Sequence, residues 1–111
     1  MVDFSLISYT YNRIRHHLVE TPLLESPFLS DRLNKRVLIK AECLQKTGSF
    51  KYRGSWSSFV NNDIESLKKG VLAYSSGNHA QGIAAVAKQL KIEATIIMPK
   101  DAPRLKIKNT Q

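Results

Sequence analysis

The amino-acid sequence predicts an α/β fold in which covering helices pack on a partial parallel sheet. Three short apolar runs, at residues 37–42, 71–75 and 93–98, have the length and composition of strands. Segments with helical spacing of apolar residues separate these runs, and such alternation favours right-handed crossovers between parallel strands. The apolar character of the runs is typical of parallel strands, whose sheet is covered on both faces.

The composition is that of one ordinary domain. The chain has 111 residues, of which 42% are hydrophobic and 23% charged, which is too apolar for a disordered segment. No apolar run reaches the roughly 18 residues of a membrane span, and the first residues do not form a secretory signal. A lone Cys43 excludes an internal disulfide, and His16 and His17 lack further metal ligands. We therefore expect a cytoplasmic protein without a membrane partner or a metal site.

The chain is strongly basic. Its 17 Lys and Arg residues minus its 9 Asp and Glu residues give a net charge of +8, which raises the question of a nucleic-acid partner. The basic residues are spread from Arg13 to Lys108, however, and do not form one block. We therefore expect no nucleic-acid partner. The alternative to an enzyme is a small basic binding module, or the remnant of a decayed gene.

Capping residues and apolar spacing predict the first two helices. Asp3 or Ser5 can cap a first helix, which ends at Thr21 because the residue before Pro22 avoids the helical region. One face of this helix carries the apolar residues Ile7, Tyr11, Ile14 and Leu18. A short second helix begins at residues 26–27, with proline in its first turn, and ends near Leu33.

The later helices alternate with the last two strands. Ser49 can cap a helix with the apolar residues Tyr52, Trp56, Phe59 and Val60. Residues 63–69 form a further turn or two, closed by Gly70, and a helix over 79–90 follows the strand 71–75. A last helix begins at 101–103 and reaches Gln111 without a capping residue. We therefore expect residues 1–111 to be part of a larger α/β domain.

Two segments at the junctions between extended runs and helices can carry chemistry. In residues 47–54, Lys51 falls in the first turn of a helix, where the helix dipole disfavours a protonated amine. An unprotonated lysine is a nucleophile toward aldehydes and a candidate for a Schiff base. From residue type alone, the alternative is a solvated lysine on a helix surface.

The second segment, residues 75–82, is a strand–turn–helix junction with small polar residues at its mouth. Free backbone N–H groups at a helix N-terminus can bind a carboxylate or a phosphate, and ligands of open α/β sheets bind at the carboxyl ends of strands. Ser75, Ser76 and Asn78 could equally be helix caps and nothing more.

Together the two segments resemble the serine/threonine dehydratase and serine racemase family of fold type II pyridoxal phosphate enzymes. The lysine motif of that family, Ser-Phe-Lys-x-Arg-Gly, is present at residues 49–54, and its Ser-Ser-Gly-Asn-His loop at residues 75–79. The segments at 21–23, 98–99 and 102–106 match further landmarks of the family. Ser55 replaces the alanine that usually follows the Arg-Gly pair.

The resemblance implies a role for each matched residue. Lys51 would hold pyridoxal 5'-phosphate through its amine and then act as the base on the substrate Cα proton. Phe50 would lie against the cofactor ring, and Asn78 would hydrogen-bond its phenolic oxygen. The loop would receive the substrate carboxylate through Ser75, Ser76, Gly77, Asn78 and His79. Ser76 is also a candidate acid or base on the face opposite Lys51.

By the same resemblance, the substrate is a small hydroxy-amino acid and the reaction gives a 2-oxo acid and ammonia. Serine racemase and 3-hydroxyaspartate dehydratase remain alternatives within the family, because they share the first proton abstraction. The family's glycine-rich phosphate cup does not occur in these residues, where Gly82 is the only glycine after His79. The chain is thus expected to be an incomplete N-terminal part of the catalytic domain, inactive alone. The whole enzyme is expected to be a homo-oligomer.

Overall fold

The computed structural model describes residues 3–111 and confirms the α/β fold class. The helices are α1 (Phe4–Ile14), α2 (Pro27–Leu33), α3 (Lys51–Asn61), α4 (Ile64–Lys68), α5 (Asn78–Leu90) and α6 (Arg104–Thr110). The strands are β1 (Leu23–Glu25), β2 (Leu38–Lys40), β3 (Val71–Tyr74) and β4 (Ala94–Ile97), and 3₁₀ turns lie at Arg15–His17, Glu42–Leu44 and Lys46–Gly48. Within residues 3–111, no helix has both the length and the apolar character needed to cross a membrane.

The strands form two separate sheets. β3 and β4 pair in parallel, with Val71 opposite Ala94, and α5 makes the crossover between them. The prediction that residues 37–42 belong to this sheet is wrong, since β2 pairs antiparallel with β1. The sequence did not predict β1. The residue before Pro22 favours an extended backbone, and the extended chain that follows offers an edge to β2.

Three of the predicted helix starts are confirmed by hydrogen bonds. Asp3 Oδ1 accepts from the backbone N–H of Leu6 at 2.9 Å, and Asp63 Oδ2 accepts from that of Ser66 at 2.9 Å. The short helix α2 begins with Pro27 in its first turn, after the cap Ser26. These side chains satisfy N–H groups that a helix terminus leaves without a partner.

The predicted end of the first helix is wrong. α1 ends at Ile14 and passes into the 3₁₀ turn Arg15–His17, and a side chain farther along the chain prevents a helix from reaching Thr21. Gln45 Nε2 donates to the Val19 carbonyl and Gln45 Oε1 accepts from its N–H, both at 2.9 Å. The backbone N–H and carbonyl of Val19 are therefore not available for hydrogen bonds within a helix. His17 also leaves the helix and stacks on Trp56, with 3.6 Å between ring centroids.

The predicted cap at Ser49 is also wrong. α3 begins at Lys51 after Phe50, and no side chain caps it. The hydroxyl of Ser49 is buried and has no hydrogen-bond partner. It therefore faces the interior of the protein rather than the first N–H groups of the helix.

The core lies between α3 and α5. Its largest fully buried side chains are Trp56 and Tyr52 of α3 and Val86 of α5. One face of the β3–β4 sheet packs against this core through Val71, Ala73, Ala94 and Ile96. On the other face, Tyr74 is 84% exposed, and Leu72 and Ile97 are exposed beside it. Among residues 3–111, the parallel sheet is thus covered on one face only.

Gly82 lets the backbones of α3 and α5 approach each other closely. A Cβ atom at Gly82 would lie 2.6 Å from Ser55 Oγ and 3.2 Å from the carbonyl oxygen of Lys51. Ser55 Oγ donates to that same carbonyl at 3.0 Å. The contact therefore fixes the first turn of α3 against α5, and with it the start of the Lys51 side chain.

We predict opposite effects for alanine at two glycines. Gly82→Ala should lower the free energy of unfolding by about 1–3 kcal/mol, because its Cβ overlaps Ser55 and the Lys51 carbonyl. Gly54→Ala is the matched control on α3, since nothing lies within 4 Å of its Cβ position. That control should raise the free energy of unfolding by up to about 1 kcal/mol. Urea unfolding measures both, and equal effects would disprove the close packing.

Candidate active site

A cleft of about 690 Å³ opens at the carboxyl ends of β3 and β4. The two strand ends are joined there by a hydrogen bond from the N–H of Ser75 to the Ile97 carbonyl at 3.0 Å. The lining residues are Lys51, Tyr74, Ser75, Ser76, His79, Ile97, Met98 and Pro99. The cleft thus combines an amine, hydroxyl groups and an imidazole with apolar side chains, at the place where parallel sheets usually bind ligands.

Lys51 enters the cleft from the first turn of α3. Its side chain is half-buried, and its Nζ lies 5.3 Å from the centre of the Phe50 ring. No hydrogen bond or ion pair to this amine occurs among residues 3–111. The amine is therefore available to react with a carbonyl group that enters the cleft.

The structure brings four of the predicted site residues together and leaves three at the margin. Lys51, Ser75, Ser76 and His79 line the cleft. Phe50, Gly77 and Asn78 are not lining residues. The Phe50 ring flanks the Lys51 amine, and the carbonyl oxygen of the Asn78 side chain binds Lys106.

Ser75 and Ser76 differ in what their hydroxyls do. Ser75 Oγ accepts a hydrogen bond from the N–H of Gly77 at 3.2 Å and so stabilises the turn before α5. The side chain of Ser76 is exposed to the cleft. The loop therefore contains one hydroxyl that supports its backbone and one that is open to a ligand.

Sequence reasoning missed Tyr74, Met98 and Lys106 as residues of the site or its edge. Tyr74 and Met98 lie at the carboxyl ends of β3 and β4, and that position alone could have predicted them. Lys106 belongs to the segment 102–106, which the sequence marked as a family landmark without giving it a role. Its contact with Asn78 spans 28 positions of the chain, and no local pattern reveals it.

An ion pair between Glu42 and Arg53 supports the turn that leads to Lys51. Arg53 Nε and one terminal nitrogen donate to the two Glu42 carboxylate oxygens, each at 2.8 Å. Thr21 Oγ1 donates to the same carboxylate at 2.6 Å. These hydrogen bonds, Arg53 first, hold the pKa of Glu42 below its ordinary value. The network thus ties the segment before β1 to α3, two residues past Lys51.

The turn itself is strained. Thr47 has φ of 62°, in the left-handed region that β-branched residues rarely adopt, and Gly48 follows with φ of 70°. The hydroxyls of Thr47 and Ser49 are buried without hydrogen-bond partners. Such a conformation costs about 1–3 kcal/mol and persists only where surrounding contacts determine it. The contacts around residues 45–49 therefore prescribe the path of the chain into α3.

The groups of the cleft fit the aldehyde end of pyridoxal phosphate. A free lysine amine is the group that such an aldehyde needs, and the exposed Ser76 hydroxyl and the N–H groups at the start of α5 suit a carboxylate beside it. The apolar side chains of Ile97 and Met98 suit the flat face of an aromatic ring. The donor set therefore agrees with this cofactor.

Comparison with known proteins identifies the class of protein. The chain belongs to the family of pyridoxal-phosphate dependent enzymes, whose profile matches residues 14–111. It is similar to the L-threo-3-hydroxyaspartate ammonia-lyase of Saccharomyces cerevisiae, with 48% identity over 99 residues. That match covers 89% of this chain and 30% of the yeast enzyme. This match confirms the resemblance to pyridoxal phosphate enzymes that residues 49–54 and 75–79 predicted.

Solved structures of the same fold type II class superpose on nearly the whole chain. Maize serine racemase gives a TM-score of 0.88 at 38% identity, over 98% of this chain and 33% of that one. A threonine deaminase from T.th. gives a TM-score of 0.81 at 43% identity, over 98% of this chain and 34% of that one. The chain thus spans about a third of the length of the relatives it matches.

We predict that the stabilising effect of Glu42 disappears in acid. At pH 7, Glu42→Gln should lower the free energy of unfolding by about 1.5–3 kcal/mol, because it removes a charged acceptor of three hydrogen bonds. The pKa of Glu42 in the folded protein lies below its ordinary value of 4.5. The stabilisation is therefore complete above about pH 4.5 and is lost as the pH falls through the lower folded-state pKa.

Urea unfolding of the wild type and Glu42→Gln between pH 7 and pH 3 measures this difference. The control is Glu25→Gln, which breaks a surface ion pair with Arg36 whose side chains are 48% and 72% exposed. This control should cost less than about 1 kcal/mol at any pH. A difference between wild type and Glu42→Gln that stays constant with pH would contradict the prediction.

Proposed function

We propose that this chain is the N-terminal part of the catalytic domain of a pyridoxal phosphate-dependent ammonia-lyase. The substrate is a small hydroxy-amino acid, as for threonine or serine dehydratase, and the products are a 2-oxo acid and ammonia. The observation that carries the proposal is the Lys51 amine, free of protein partners within residues 3–111 and in one cleft with the polar loop 75–79. Relatives named as ammonia-lyase and threonine deaminase support it.

Lys51 has two tasks in this proposal. Its amine would hold the aldehyde of the cofactor, and it would also remove the proton from the substrate Cα. When bound, the cofactor acts as an electron sink that makes this Cα proton acidic. The contact between α3 and α5 at Gly82 keeps the amine at a fixed place beside the loop, which proton transfer at hydrogen-bond distance requires.

The loop 75–79 binds and orients the substrate. Its free N–H groups at the start of α5 bind the carboxylate, and the Ser76 hydroxyl is exposed beside it. Phe50 would lie against the cofactor ring, and Asn78 would donate to its phenolic oxygen. Breaking the Cα–H bond and the Cβ–O bond of threonine, followed by hydrolysis, gives 2-oxobutyrate and ammonia.

Two relatives support alternative reactions within the same family. The similarity to maize serine racemase, together with the exposed Ser76 hydroxyl, favours a racemase in which Ser76 returns a proton to the opposite face of Cα. The identity of 48% with a hydroxyaspartate ammonia-lyase favours a substrate with a second carboxylate. A homo-oligomeric state and a cytoplasmic location stay predictions from the sequence.

We predict that Lys51 carries the cofactor. The whole enzyme that contains this chain is mixed with pyridoxal phosphate and reduced with borohydride, and peptide mass spectrometry should place the adduct on Lys51. Lys51→Ala should abolish both the adduct and ammonia release, because tethering and proton transfer are lost together. Lys100→Ala, an exposed lysine beside the cleft, is the control and should keep both. An adduct on another lysine would refute the assignment.

We predict that Ser76→Ala separates racemisation from elimination. In the whole enzyme with L-serine as substrate, formation of D-serine should fall at least about 100-fold, because the donor on the second face is lost. Formation of pyruvate should change far less, since it needs the base on one face only. Ser75→Ala should weaken both reactions alike, because the Ser75 hydroxyl supports the turn that presents N–H groups to the carboxylate. Chiral chromatography and a coupled pyruvate assay measure the two products, and an equal loss of both in Ser76→Ala would contradict this role.

A further inference from the structure

A lysine of α6 reaches the loop that precedes α5. The ammonium of Lys106 donates a hydrogen bond to Asn78 Oδ1 at 2.5 Å. The same side chain lies across Gly77, where a Cβ atom would come within 3.2 Å of Lys106 Nζ and 3.3 Å of its Cδ. Asn109 of α6 also donates to Gln81 of α5 at 3.3 Å. Lys106 is therefore half-buried and held at the edge of the cleft.

The chemistry of an ammonium group decides which way the Asn78 carboxamide turns. A lysine ammonium has three donors and no acceptor, so only the carbonyl side of the amide can face it. The NH2 group must then point to the opposite side of the planar amide. It donates to no residue in the range 3–111, and so remains free to bind an acceptor outside the protein.

Helix stability does not explain this contact. α5 begins at Asn78, and the N-terminus of a helix carries a partial positive charge that repels a cation. No carboxylate of residues 3–111 forms an ion pair with Lys106. A half-buried lysine also gives up side-chain freedom. The contact thus opposes both the helix dipole and side-chain entropy, and what it determines is the orientation of the Asn78 amide.

We propose that Lys106 is a positioning residue that acts through Asn78. It holds the Asn78 carboxamide so that the NH2 group would donate to the phenolic oxygen of the bound cofactor. It also prevents the amide from rotating by half a turn, which would place the carbonyl oxygen of Asn78 against that phenolic oxygen, an acceptor against an acceptor. Gly77 is the residue that leaves room for it. The identity of the bound acceptor rests on the proposed function, whereas the orientation of the amide does not.

The first experiment uses the whole enzyme that contains this chain, free of cofactor, and ¹⁵N relaxation of the Asn78 side-chain amide. In the wild type and in Lys106→Arg, which keeps the donors, the amide should be ordered. In Lys106→Met it should be mobile, with an order parameter below about 0.6. Lys108→Met, an exposed lysine on the same helix, should match the wild type. An amide equally ordered in the wild type and Lys106→Met would overturn the proposal.

The second experiment titrates pyridoxal phosphate into the whole enzyme that contains this chain and records the absorption spectrum of the cofactor. Lys106→Met should weaken binding about two- to tenfold and shift the spectrum, as expected for one lost hydrogen bond. Lys106→Glu should weaken it further, because a carboxylate accepts from the NH2 group and reverses the amide. Lys108→Glu makes the same change of charge on α6 and should bind like the wild type.

A double-mutant cycle tests whether Lys106 acts through Asn78. Added to Asn78→Ala, Lys106→Met should cause no further loss of cofactor affinity and no further spectral shift. Additive losses would overturn the positioning role. If the wild type takes up no pyridoxal phosphate, the proposed function fails, and the relaxation experiment still decides the orientation of the amide.

Discussion

The close approach of α3 and α5 at Gly82 is the constraint on which the cleft depends. Lys51 is the first residue of α3, and the loop 75–79 leads into α5. The amine and the polar loop of the cleft therefore come from different parts of the chain. Side chains longer than hydrogen at residue 82 would separate the helices and move the amine away from the loop. The rest of the core, centred on Trp56 and Val86, fills the space that this contact sets.

Polar contacts extend this arrangement in both directions along the chain. The Glu42–Arg53 pair joins the turn before α3 to that helix. The hydrogen bonds between Gln45 and the backbone of Val19 join the N-terminal segment to the same turn. On the other side, Lys106 and Asn109 join α6 to the start of α5. Each contact gives a partly buried polar group a hydrogen-bond partner in place of water. This stabilises one arrangement of the segments around the cleft relative to other arrangements. The cleft is thus supported from both sides.

The sequence predicted features that depend on neighbouring residues and missed those that depend on distant ones. Caps such as Asp3 and the apolar strands β3 and β4 follow from local spacing, as does the placement of Lys51 at a helix start. The antiparallel partner of β2 and the early end of α1 do not. Both depend on partners far along the chain, such as Gln45 for Val19, which periodicity cannot show.

The left-handed backbone of Thr47 has a consequence for evolution and engineering of this protein. Glycine or asparagine would adopt this conformation with less strain, so a screen for thermostability should select them at this position. Such variants would gain stability because the left-handed conformation costs them less, and glycine would also give the turn before Lys51 more conformational freedom. At residue 47, relief of backbone strain and a fixed path of the chain into α3 therefore favour different amino acids.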